Sequence, residues 1–109
     1  MADMREYKGT IRDAVRQERN ADKNWTWKVK AINKDHAHIG WGYLDYLGEE
    51  DDFLLEFYDE DQTAVVGTMP NGNRKYALVG GSPWDDANTI EGAISIVIHA
   101  MAQAAHNIY

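Results

Sequence analysis

The sequence predicts an α+β fold: an antiparallel meander sheet of about five strands, with an N-terminal and a long C-terminal helix packed on one face. Three observations predict it. The stretch Asp86 to Ile108 reads DANTIEGAISIVIHAMAQAAHNI, and at about 100° per residue its apolar side chains fall on one broad arc. Between Trp25 and Gly80, apolar and polar residues alternate in short runs separated by turn sequences. Near the start, Met4, Tyr7, Ile11, Ala14 and Val15 recur at helical spacing. The order is α-β-β-β-β-β-α, with residues 1–109 forming a single α+β domain.

The first helix is expected over residues 3–19, with Gly9 weakening it by about 1 kcal/mol relative to alanine. Arg5, Lys8, Arg12, Arg16 and Arg19 form a basic stripe beside its apolar one. A first strand, Trp25 to Ala31, puts Trp25, Trp27, Val29 and Ala31 on one face and Thr26, Lys28 and Lys30 on the other. After the turn Asn33-Lys34-Asp35, a second strand runs from His36 to Tyr46. Ala37, Ile39, Trp41 and Tyr43 share its inner face, and His36, His38, Gly40, Gly42 and Leu44 the other.

Leu47 to Asp52 is expected as an acidic turn, Phe53 to Tyr58 as a third strand, and Asp59 to Gln62 as a second acidic turn. Thr63–Met69 and Arg74–Gly80 read as a hairpin around Pro70-Asn71-Gly72-Asn73. In the last helix Ile90, Ala93, Ile94, Val97, Ala100, Met101, Ala104, Ala105 and Ile108 form the buried arc, with Ile98 at its edge. Glu91, Ser95, His99, Gln103 and His106 take the opposite side, and Asn88 with Glu91 suits a capping box. Two helices cover one sheet face, so the other is expected to be partly open, where a second copy of the chain could dock.

The chain has no cysteine, which excludes disulfides, thiolate metal sites and cysteine nucleophiles. No apolar run approaches the roughly 20 residues of a membrane span, and the N-terminus lacks the apolar core of a signal peptide, so a cytoplasmic protein is expected. No P-loop, nucleophile elbow or ordered Ser-His-Asp set is present, which weighs against an enzyme. His36 and His38 share a strand face, but a metal site wants three or four ligands. His99 and His106 lie about 10.5 Å apart by helical rise, too far to chelate together. No metal and no cofactor is expected. Gly80-Gly81-Ser82 before a helix suggests an anion cradle, but Asp85 and Asp86, placed in the first helical turn, would repel phosphate.

Charge is distributed unevenly. Through Lys34 there are nine bases and five acids; from Asp35 onward two bases face thirteen acids, within a net −7. The run Asp35 to Asp61 holds ten acids and no base, interspersed with aromatic residues. An acidic field with aromatic anchors suits a basic protein surface, since charge speeds encounter and aromatics supply hot spots. The expected function is therefore a small acidic, non-enzymatic protein-binding module, an inhibitor or neutraliser of a basic partner such as a nuclease. The contact residues would be Glu49, Glu50, Asp51, Asp52, Asp59, Glu60 and Asp61, with Tyr46 and Tyr58 as anchors. Direct nucleic-acid or membrane binding is not expected, because the acidic half repels anionic surfaces. The alternative is a small-molecule binder or minor enzyme using the open sheet face around His36, His38, Gly40, Gly42 and Trp41. In size, acidity and its lone domain the chain resembles many small proteins of phages and mobile elements, including inhibitors of host defence. That is a likeness of type, and it assigns no residue.

Overall fold

Five strands pair in sequence order into one antiparallel sheet: β1 (Trp25–Ile32), β2 (His36–Tyr43), β3 (Asp51–Asp59), β4 (Thr63–Thr68) and β5 (Arg74–Leu78). A 3-10 turn (Met4–Tyr7) leads into α1 (Lys8–Ala21), and α2 (Ile90–His106) closes the chain. The computed structural model describes residues 3–43, 51–59 and 62–107. Both helices lie on the same sheet face, α1 against β1 and α2 against β4 and β5, and they touch each other. The expected α+β meander is the observed architecture.

The period-two pattern assigns the sheet faces. Trp25, Trp27, Ala37, Ile39, Trp41, Phe53, Leu55, Val65 and Ala77 are buried toward the helices. The three tryptophans gather, with ring centroids 5.7–6.2 Å apart, and Phe53 meets Trp27 edge-on at 6.4 Å. Ala31, expected inward, is exposed. A β-bulge between Val29 and Ala31 shifts the register by one residue at Lys30, so Ala31 opposes His38 and Ile32 opposes Ala37. One extra residue flips every later side chain to the other face.

On α2, Ala93, Ile94, Val97, Met101 and Ala105 are buried as the arc requires. Ile98, expected at the edge, is fully buried because α1 runs alongside, and Ala102 is buried with it. His99 Nδ1 donates to Glu18 Oε1 at 2.8 Å, and this bond joins the two helices; Glu18 is only 8% exposed. His106, expected on the polar side, is half-buried with its ring 4.6 Å from that of Trp25. The helix starts later than the Asn88 capping box would place it. Thr89 is the N-cap, and its Oγ1 accepts from Gly92 N at 3.1 Å.

At the other terminus, Asp3 caps the 3-10 turn by accepting from Arg5 N at 3.0 Å. Arg5 also forks onto its carboxylate, with Nη2 at 2.6 Å, and this pairing holds the Asp3 carboxyl down at about 2. The basic stripe of α1 is exposed, and Arg16 pairs with Asp13 at 3.1 Å.

Gly67 sets the distance between α2 and the sheet. It sits on the helix-facing side of β4, where a Cβ would lie 2.9 Å from Val97 Cγ1 and 3.0 Å from Met101 Cγ. No side chain fits there without moving the helix. Gly67→Val should therefore destabilise the protein by about 1–3 kcal/mol through overpacking. Combining it with Val97→Ala should cost less than the sum of the two single changes, because the two positions share the same space. Urea denaturation of the four proteins measures both effects, and strict additivity would show that Gly67 and Val97 do not compete.

Candidate functional site

The segment between β5 and α2 is tied down on every side. Asp86 Oδ2 accepts from Leu78 N at 2.9 Å, and the Asp86 and Ala87 amides both donate to Leu78 O at 3.0 Å. Val79 and Ala87 form a parallel bridge. The Asp85 carboxylate accepts from Ser82 N at 3.0 Å and from Gln62 Nε2. It occupies the space a Cβ on Gly80 would fill, so only glycine permits this closure. Trp84 N donates to Ser82 Oγ at 3.2 Å, completing a compact turn. Asp85 and Asp86 are thus loop staples. The sequence placed them in the first helical turn, where their chemistry would also fit, but these long-range hydrogen bonds take them instead.

Trp84, held by this turn, is 89% exposed. A tryptophan left in water on a hydrogen-bonded loop is a preformed contact with little side-chain entropy to lose. Tyr76 and Tyr58, at 63% and 49% exposure, lie on the open sheet face. Tyr58 opposes Ala64, which opposes Leu78, the residue bonded to Asp86. Asp59 pairs with Thr63, and Gln62 bonds Asp85, so the start of β4 lies beside the Trp84 loop. The Tyr58 end of β3 and the loop carrying Trp84 therefore share one end of the sheet.

The Asp51 end of β3 lies elsewhere. In a meander, successive connections alternate between sheet ends; Trp41 opposes Asp51 at one end, while Asp59 and Thr63 close the other. Asp51 and Asp59 therefore stand at opposite ends of β3. Asp51 and Asp52, expected in a turn, begin β3, and Asp52 Oδ1 receives Lys30 Nζ at 2.9 Å. Glu49, Glu50, Glu60, Asp61 and Tyr46 lie outside the described residues.

The alternative site is split by the sheet. His36 and His38 share the open face, their rings 5.0 Å apart, and Asn33 Nδ2 lies 3.1 Å from His36 Nε2. His38 lines an open depression of about 640 Å³ with Lys30, Asp52, Leu54, Glu56, Thr68 and Arg74. Trp41 is buried on the helix side, and Gly40 and Gly42 are buried within the sheet. Among the described residues no three His, Asp or Glu side chains converge as metal ligands, and no helix is long and apolar enough to cross a membrane.

Compared with known proteins, the chain matches no family model, no curated protein and no solved structure. Its function has to be read from its own surface. Trp84 was missed in the sequence reading. Its signal is a large aromatic in Gly80-Gly81-Ser82-Pro83-Trp84-Asp85, where neither strand nor helix periodicity gives it a buried place.

Asp85→Ala should release the loop while sparing the core. The amide of Ser82 should then exchange with solvent at least tenfold faster, as a local opening. The stability of α2, followed by the Met101 amide, should be unchanged. Equal acceleration at both amides would mean that the loop and core open together.

Proposed function

We propose that this chain is a non-catalytic protein-binding module that engages a basic partner surface, in the manner of a neutraliser of a nuclease, through Trp84, with Tyr58 as a second anchor and the acids Asp59, Glu60 and Asp61 of the sequence as steering charges. The observation that carries the proposal is Trp84, 89% exposed on a loop held by its own hydrogen bonds. Exposed aromatics anchored on a rigid support are the side chains that dominate protein interfaces. These acids would steer a basic partner and set orientation, while the aromatic rings supply most of the affinity. A cytoplasmic setting suits a binding module without cysteine.

A second reading rests on His38. Its place in the depression beside Glu56 and Arg74 would suit a small polar ligand. The depression is shallow and open to solvent, and His36 is turned to Asn33, so Trp84 supports the first reading better.

The test is affinity capture with three baits: the wild type, Trp84→Ala, and Asp59→Lys/Glu60→Lys/Asp61→Lys. A basic protein should be retained by the wild type, weakened about 30-fold or more by Trp84→Ala, and lost by the charge reversal. Raising salt from 0.1 M to 1 M, which shortens the Debye length from about 10 Å to about 3 Å, should slow association. The melt of Trp84→Ala should agree with the wild type within a few degrees, since Trp84 is exposed, and a melt of the charge-reversed bait verifies that it is folded. Retained proteins indifferent to both variants and to salt would overturn the proposal and direct attention to His38.

A further inference from the structure

The two edges of the sheet differ in what they offer. On β1, Trp27 is only 1% exposed, and the bulge at Lys30 interrupts the edge, so an added strand finds no regular ladder there. On β5 the ladder can be followed residue by residue. Met69 N donates to Asn73 O at 2.8 Å and Val79 N to Thr63 O at 2.9 Å. These two bonded pairs bracket the β4–β5 register. Antiparallel pairs alternate between bonded and non-bonded, so Lys75 and Ala77 bond to β4 while Arg74, Tyr76 and Leu78 direct their N–H and C=O outward. Leu78 confirms the alternation, since both its outward groups are taken by Asp86 and Ala87. Among the described residues none covers the outward groups of Arg74 and Tyr76, and both residues are exposed.

Beside this edge lies a groove of about 510 Å³ between β5 and α2, lined by Asn73, Lys75, Ala100, Gln103, Ala104 and Asn107. Ala100 and Ala104 contribute short side chains to it, and among the described residues that line it Lys75 is a cation and none is a carboxylate. Arg74 and Lys75 are the two bases of the acid-rich part of the chain, and both stand at this edge.

We infer that the open edge of β5 takes an extended, acidic segment of a partner protein as a sixth strand. The segment would pair with Arg74 and Tyr76 through backbone hydrogen bonds, in the manner of strand addition. Its alternate side chains would fall on two sides. One set would enter the groove over Ala100 and Ala104, where a carboxylate meets Lys75; the other would lie on the open face beside Tyr76 and Arg74. A second copy of the chain fits this edge less well. Two antiparallel β5 strands centred on Lys75 would oppose like charges, which destabilises a sheet pair. The site is distinct from the Trp84 corner and does not depend on it.

The test titrates the full ¹⁵N-labelled chain with a blocked pentapeptide alternating Glu and Val, and with its Lys-Val counterpart. The acidic peptide should shift the amides of Arg74 to Tyr76 and of Gln103 and Ala104, and slow exchange of the Tyr76 amide. The basic peptide should bind at least tenfold more weakly. Lys75→Glu should reverse that preference, and Tyr76→Pro, which removes an outward N–H that β4 does not use, should abolish binding while the melt shows a folded protein. Shifts centred elsewhere, equal binding of both peptides, or no saturable shift at millimolar peptide would overturn the inference. So would concentration-dependent dimerisation that protects the same amides, because the edge would then serve a second copy.

Discussion

The contact between α2 and the sheet is the one on which the other features depend. Ile94, Val97, Ile98 and Met101 are fully buried there, each burial stabilising by roughly 1.5–3 kcal/mol. Gly67 lets the helix approach β4 closely enough to exclude water. Once α2 lies across β4 and β5, the chain must travel from Leu78 at one sheet end to Ile90 on the helix layer. That passage is the Asp85–Asp86 loop, and its fastening leaves Trp84 in solvent. The same geometry ends the covered part of the β5 edge at Leu78 and leaves Arg74 to Tyr76 uncovered. Both proposed surfaces therefore follow from where one helix is seated.

Net charge is a poor map of this surface. Asp3 is engaged by Arg5, Asp13 by Arg16, Glu18 by His99 and Asp52 by Lys30. Asp85 and Asp86 accept backbone hydrogen bonds. Acids used in this way fix local structure and present less of their charge to a partner. The pairs that lie at the surface, such as Asp13 with Arg16, shape loops and turns more than they stabilise the fold. The topology sets the Asp59 end of β3 at the same sheet end as the Trp84 loop and carries Asp51 and Asp52 to the far end.

Much of the fold was legible because its cues are local. Alternation placed Trp25, Trp27, Ala37, Ile39, Trp41, Phe53 and Leu55 on the buried face, and helical spacing found most of the α2 arc. Failures came where a distant group decided. Period two cannot foresee the extra residue at Lys30 that turned Ala31 outward. Asp85 and Asp86 are good helix-start residues, and only Leu78, Ser82 and Gln62 draw them into a loop. Ile98 and His106 were misplaced because a single helix carries no information about the α1 and Trp25 side chains beside it. That Asp51 and Asp59 stand at opposite ends of the sheet follows from a meander once its connections are counted. Trp84 left only the negative signal of an aromatic residue with no periodic place.

The central claim is that the Trp84 corner is the electronegative, accessible face of the molecule, and small charged paramagnetic probes test it without any partner. Amide relaxation measured with a cationic and an anionic soluble nitroxide reports local potential and access together. The account predicts that the cationic probe broadens Tyr58, Gln62 and Trp84 more strongly than the anionic one, with the preference reversed along the exposed bases of α1. Equal broadening by the two probes at Trp84, or a preference there for the anionic probe, would contradict it.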